Sequence, residues 1–119
     1  MQQFESGEPK RPEDASDRVQ FAYESDPRGV RVRIMGELDL ATAPELDRVL
    51  DGLGNDGHDE MLIDLSGVTF MDSTGLASIV RAYRHAEAGG RRVVLHRGPP
   101  QVQRLFEITD TLNRFTFED

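Results

Sequence analysis

The apolar side chains of this chain recur first at every second residue and later at every third or fourth, and the pattern switches several times. Two segments with the two-residue period come first, on either side of a turn over residues 25–29 that contains proline and glycine. This arrangement is typical of two half-buried strands that pair as a hairpin. Their alternating apolar positions are Val19, Phe21, Tyr23, Val30, Val32 and Ile34.

Three stretches with helical spacing follow, and short apolar segments separate them. Thr42 and Glu45 have the spacing of a capping box, which predicts where the first helix begins. The apolar run over 61–65 is typical of a strand covered on both faces, and further strands are predicted over 92–96 and 115–117. The apolar helical positions are Leu46, Val49, Leu50 and Leu53, then Leu76, Ile79, Val80 and Tyr83, and finally Val102, Leu105, Phe106 and Ile108.

Strands that alternate with helices of about ten residues predict right-handed crossovers and a mostly parallel sheet. We therefore expect one α/β domain, with roughly four or five strands, three or four helices, and the 19–24 segment as an antiparallel edge strand. The length of 119 residues fits a single domain. Sites in such sheets lie where the parallel strands end, so the loops over 36–42, 66–75 and 97–101 should converge on one rim.

The first 17 residues differ in composition from the rest of the chain. They carry five acidic side chains, two basic ones and two prolines, with almost no apolar residues. Such a segment cannot bury enough surface to offset the entropy lost on ordering. We expect a mobile acidic arm over 1–17, followed by the domain over 18–119.

Charge and cysteine content exclude several function classes. A formal net charge of −8 repels phosphate backbones and anionic lipid surfaces, so neither nucleic acid nor a membrane is an expected partner. The absence of cysteine excludes disulfides, zinc ribbons, iron–sulfur clusters and thiol nucleophiles. No cofactor is predicted. The first residues lack the charged and apolar regions of a secretory signal, so we expect a cytoplasmic location.

Three patterns from other function classes are incomplete. Residues 52–57 read G-x-G-x-x-G, but they close a helix, whereas a dinucleotide site needs this pattern to follow a strand and open a helix. Ser73 lacks the glycine two residues before it that a nucleophile elbow requires, because Met71 stands there. His58, His85 and His96 have no metal-ligand spacing. A small hydrolase is therefore a distant third hypothesis.

The segment over 70–76, between the buried strand and the second helix, carries the strongest local signal. Asp72 or Ser73 is expected to cap the helix. Gly75 falls in the first helical turn, where glycine is unfavourable, and so predicts a close approach by another backbone. A phosphate on Ser73 would meet the free amides of the helix start, and Asp72 and Asp39 would keep it strongly negative towards a partner.

Residues 36–39 (GELD), 64–76 (DLSGVTFMDSTGL) and 103–107 (QRLFE) together resemble the STAS domain of bacterial anti-sigma-factor antagonists. The resemblance spans about residues 19–118 and implies a mixed sheet with helices packed against it. It also implies a non-enzymatic partner switch, in which the unphosphorylated antagonist binds an anti-sigma factor serine kinase and frees the sigma factor. A phosphatase would reverse the modification. By this likeness Ser73 is the phosphoacceptor, Asp39 is an acidic position beside it, and Asp72, Thr74 and Gly75 form its loop.

Two functions remain open at this point. The first is the partner switch, and the second is a STAS scaffold or accessory subunit, for example of a lipid transporter, in which Ser73 acts only as a cap. For the switch, we expect a partner-facing stripe on the second helix, and Ser78→Arg should weaken the complex without changing the melting temperature. The residues of this stripe are Thr74, Ser78, Arg81 and His85.

Overall fold

The computed structural model describes residues 18–54, 59–109 and 114–118. The predicted arm over 1–17, His58 and the end of the G-x-G-x-x-G pattern lie outside the described residues. The elements are β1 (Val19–Ser25), β2 (Gly29–Leu38), α1 (Ala43–Gly54), β3 (Glu60–Met71), α2 (Ser73–Ala88), β4 (Arg92–His96), α3 (Pro100–Ile108) and β5 (Phe117–Glu118).

The five strands form one sheet in the order β1-β2-β3-β4-β5. β1 pairs with β2 in antiparallel register, and β2, β3, β4 and β5 pair in parallel. This confirms the predicted α/β fold with an antiparallel edge strand. Because each parallel strand is followed by its neighbour in the sheet, right-handed crossovers place the connecting helices on one face.

The core lies between that face of the sheet and the helices. Alternation along β2 shows the division, because Val32 and Ile34 are fully buried whereas Arg31 and Arg33 are exposed. The largest fully buried side chains are Phe106, Ile34, Leu38, Leu46, Leu50, Met61, Ile63, Leu65, Ile79 and Leu95. None of the helices within the described ranges is long and apolar enough to cross a membrane.

The two central strands extend further than the sequence pattern predicts. β2 runs to Leu38 and β3 to Met71, so much of the expected loops over 36–42 and 66–75 is strand. The pairing of β2 with β3 shifts register twice, between Arg33 and Met35 and between Gly36 and Glu37. These irregularities interrupt the two-residue period, and for that reason the end of β3 reads as a loop in the sequence.

Asp64 is a buried charge within the apolar run of β3. Its side chain is 3% exposed, and its carboxylate accepts hydrogen bonds from the Ser66 amide at 2.9 Å and the Arg31 guanidinium at 3.0 Å. Burial raises the pKa of Asp64, but the bonds from Ser66 and Arg31 outweigh it and hold the pKa below the usual range. The Asp64 carboxylate therefore satisfies the backbone amide of Ser66, next to the first register shift between β2 and β3.

Candidate functional site

Ser73 is the first residue of α2 and is exposed, directly after β3 ends at Met71. The N-cap is Asp72, whose carboxylate accepts hydrogen bonds from the amides of Thr74 at 2.9 Å and Gly75 at 3.1 Å. One of the two predicted caps is thus confirmed. The expectation that a phosphate on Ser73 would find free helix-start amides is wrong for Thr74 and Gly75, because the Asp72 carboxylate already binds both.

Gly75 brings the start of α2 against the end of β2. A Cβ at this position would lie 2.5 Å from the carbonyl oxygen of Leu38 and 2.8 Å from its Cβ. The same carbonyl accepts a hydrogen bond from the Asp72 amide at 3.1 Å. The predicted close backbone approach is therefore confirmed, and it fixes the Ser73 loop beside the residue that follows Leu38, which is Asp39.

Asp39 stands at the end of β2 as a largely shielded carboxylate. Its side chain is 16% exposed, and it accepts hydrogen bonds from the amides of Ala41 at 3.0 Å and Thr42 at 3.1 Å and from the Arg18 guanidinium. Burial raises the pKa of Asp39, but the Thr42 amide and the Arg18 guanidinium outweigh it and lower the pKa below its usual range. Asp39 is therefore ionised at neutral pH.

The predicted capping box of Thr42 and Glu45 is wrong. The Thr42 hydroxyl donates to the Glu37 carbonyl at 2.7 Å and accepts from the Asp39 amide at 3.0 Å. The Glu45 amide donates instead to the backbone carbonyl of Thr42 at 3.1 Å. Asp39 and Thr42 instead bind each other's backbone amides through their side chains. Asp and Thr commonly form such local bonds in turns, and these bonds compete with helix capping.

Sequence reasoning missed Arg18 and Glu37. The antiparallel pairing of Val19 with Gly36 places Arg18, just before β1, beside Glu37 of β2. The Arg18 guanidinium donates to Glu37 Oε1 at 2.6 Å and also to Asp39. The Glu37 amide in turn donates to the Arg18 carbonyl at 2.8 Å. Counting the hairpin register outward from the turn over 25–29 would have brought Arg18 beside these acids.

The predicted stripe of α2 does not lie on one solvent-facing surface. Ser78 is only 1% exposed, so the expectation that it faces a partner is wrong. The Arg81 side chain is exposed and donates at 3.0 Å both to Asp47 of α1 and to the Ser78 hydroxyl. Because α1 packs along this side of α2, Ser78 is covered while Arg81 and His85 remain exposed. Thr74 is half-buried.

A family model described as "Mlab, STAS domain" matches residues 21–113. The chain belongs to the STAS domain family. The "Anti-sigma-B factor antagonist" of Staphylococcus aureus (strain NCTC 8325 / PS 47) is 36% identical over 78 residues, which cover 66% of this chain and 72% of the relative.

Solved structures agree with this STAS fold. An anti-sigma factor antagonist from Mycobacterium paratuberculosis superimposes with a TM-score of 0.78 and 25% identity, covering 87% of this chain and 88% of that one. The Bacillus cell fate determinant SpoIIAA in its phosphorylated form superimposes with a TM-score of 0.64 and 22% identity, covering 84% and 92%. The latter likeness establishes the fold alone.

Two large apolar side chains are also exposed at the rim of this STAS domain. Leu40, directly after Asp39, is 75% exposed, and Phe70, two residues before Asp72, is 48% exposed. Phe70 stands opposite Glu37 in the pairing of β2 with β3. The rim surface, as we call it below, consists of Glu37, Asp39, Leu40, Phe70, Asp72 and Ser73.

Proposed function

We propose that this STAS domain is an anti-sigma factor antagonist whose unphosphorylated form binds an anti-sigma factor serine kinase through the rim surface. Phosphorylation of Ser73 switches the binding off, and a phosphatase restores it. The Staphylococcus aureus relative, which bears the name of an anti-sigma-B factor antagonist, supports the class of function. The position of Ser73 supports the mechanism.

The observation that carries the proposal is the combination of an exposed hydroxyl and a fixed backbone. Ser73 is exposed, whereas Gly75 and Leu76 behind it are buried against the end of β2 and the core. Asp72 caps the helix, so the Ser73 hydroxyl is not needed for capping. A kinase therefore meets an accessible serine whose modification leaves the cap intact.

The electrostatics of the rim surface explain why phosphorylation would end binding. Phosphate adds about −1.5 to −2 charges at a place where Asp39 and Asp72 already stand. A partner that docks on the neutral hydroxyl has to desolvate the phosphate, and this is costly without new cationic groups. Arg18 already binds Glu37 and Asp39, so neutralising the phosphate with it would break those bonds.

A STAS scaffold or accessory subunit without phosphorylation is the second candidate. The observation in its favour is that the matching family model is described by a STAS domain and names no anti-sigma factor. In that case Ser73 would be an ordinary exposed serine of the helix start.

The test is incubation with candidate anti-sigma factor kinases of the source organism and ATP, followed by mass mapping of the phosphate and calorimetric binding. We expect a single phosphate on Ser73. Ser73→Ala should bind the kinase but accept no phosphate, and Ser73→Glu should bind at least about tenfold more weakly. Ser25→Ala, at another exposed serine, is the matched control and should behave as wild type. Absence of phosphate together with unchanged binding by Ser73→Glu would favour the scaffold.

A further inference from the structure

We propose that Leu40 and Phe70 are the two apolar anchors of the interface with the anti-sigma factor. The inference rests on the proposed function and makes the partner's chemistry specific. The partner surface then carries two apolar pockets and, beside them, an arginine or lysine that meets the acidic groups of the rim surface.

The distribution of exposed apolar side chains points to the rim. Among residues 18–54, 59–109 and 114–118, four large apolar side chains remain exposed: Tyr23 at 41%, Leu40 at 75%, Phe70 at 48% and Ile108 at 72%. Single exposed apolar residues are ordinary on protein surfaces and need no explanation. Two of these four, however, stand within three residues of Asp39 or Ser73, at the ends of neighbouring strands.

The local backbone holds both side chains in solvent. The Asp39 carboxylate binds the amides of Ala41 and Thr42, and this turn leaves Leu40 at its outer side. Phe70 is fixed by the strand pairing that continues to Leu38 and Met71. The backbone at both positions is already ordered, so little backbone entropy is lost when a partner buries the two side chains.

The charges beside the two anchors indicate the partner's complementary group. Arg18 pairs with Asp39 and Glu37, and Asp72 caps the nearby helix, so three carboxylates stand against one guanidinium and the surface stays acidic. Protein interfaces typically combine an apolar centre with a few complementary charges, and a small number of large side chains carry most of the binding energy. Acidic groups beside two apolar anchors, on a chain with a net charge of −8, fit a partner with basic groups beside apolar pockets.

The test compares each anchor with a matched residue away from the rim. Leu40→Ser is paired with Ile108→Ser, because the two side chains are almost equally exposed. Phe70→Thr is paired with Tyr23→Thr, because both are half-exposed aromatics in strands and threonine keeps the strand propensity. Calorimetry with the anti-sigma factor should show at least about tenfold weaker binding for each rim variant and less than about twofold for each control.

Further measurements separate this inference from the proposed function. Circular dichroism melting checks the fold, and Leu40→Ser alone decides the matter if Phe70→Thr does not fold. If Leu40→Ser binds like wild type while Ser73→Glu still blocks binding, the proposed function stands and the anchors are wrong. If wild type binds no anti-sigma factor, both fail. A dimer seen by light scattering and dissolved by Leu40→Ser would assign the surface to a second copy of the chain and overturn the inference.

Discussion

Gly75→Ala tests the contact that fixes the Ser73 loop against the end of β2. The added Cβ would lie 2.5 Å from the Leu38 carbonyl oxygen, which is 0.9 Å short of the 3.4 Å at which ordinary contact begins. The obstacle is backbone, and the Asp72 amide binds the same carbonyl, so the helix start has to move as a unit. Overpacking of this kind costs about 1–3 kcal/mol, whereas the better helix propensity of alanine returns at most about 1 kcal/mol.

We therefore expect Gly75→Ala to lower the free energy of unfolding by up to about 2 kcal/mol in urea titrations. Gly52→Ala in α1 is the matched control, because a Cβ there meets no atom within 4 Å. That variant should raise the free energy of unfolding by about 0.5–1 kcal/mol. Equal or greater stability of Gly75→Ala relative to Gly52→Ala would refute the close approach and with it the rigid placement of Ser73.

Two further predictions concern Asp39 and Ser78. Arg18→Gln removes a partner of the Asp39 carboxylate, so the pKa of Asp39, measured by NMR titration, should rise towards its usual value. The lowered pKa in the folded state means that Asp39 stabilises the fold fully above its unfolded-state pKa. This stabilisation is lost as the pH falls through the folded-state pKa. Because Arg18→Gln raises the folded-state pKa, the variant should lose the stabilisation at a higher pH than wild type. Ser78→Arg should lower the free energy of unfolding by about 1–3 kcal/mol, and with it the melting temperature, because it forces a charged side chain into the α1–α2 contact. An unchanged melting temperature would show that Ser78 is accessible after all.

The element order was predictable because each strand and helix keeps its own hydrophobic period over most of its length. The core contains Met61, Ile63 and Leu65 of β3 and the stripe through Leu76, Ile79 and Tyr83, as expected. Leu62 is only half-buried, because the helices cover one face of the sheet, whereas the apolar run predicts a strand covered on both faces. The second half of β3 was not predictable, because its register shifts against β2 depend on pairing that no local pattern records. The burial of Ser78 was missed for a related reason: α1 covers a second side of α2, and a single apolar stripe does not reveal how many neighbours a helix has.

For the candidate site, glycine and charge were the readable signals. Gly75 breaks a local propensity rule, and the structure supplies the tertiary reason in Leu38. Arg18 carries no local signal, and only counting the register of the β1–β2 hairpin outward from its turn brings it beside Glu37 and Asp39. The exposure of Leu40 was also hidden, since an apolar residue after a strand is equally compatible with a core position until the turn geometry is known.

The Leu38 carbonyl accepts a hydrogen bond from the Asp72 amide and lies so close to Gly75 that no Cβ fits there. The loop with Ser73 and the turn with Asp39, more than thirty residues apart in sequence, are held as one preformed unit. This unit itself then needs no rearrangement when a partner docks, so on the side of this domain the association rate is governed by diffusion and charge. By the proposed function, phosphorylation of Ser73 would then shorten the residence time of the complex, without a refolding step in this unit to limit how fast the switch responds.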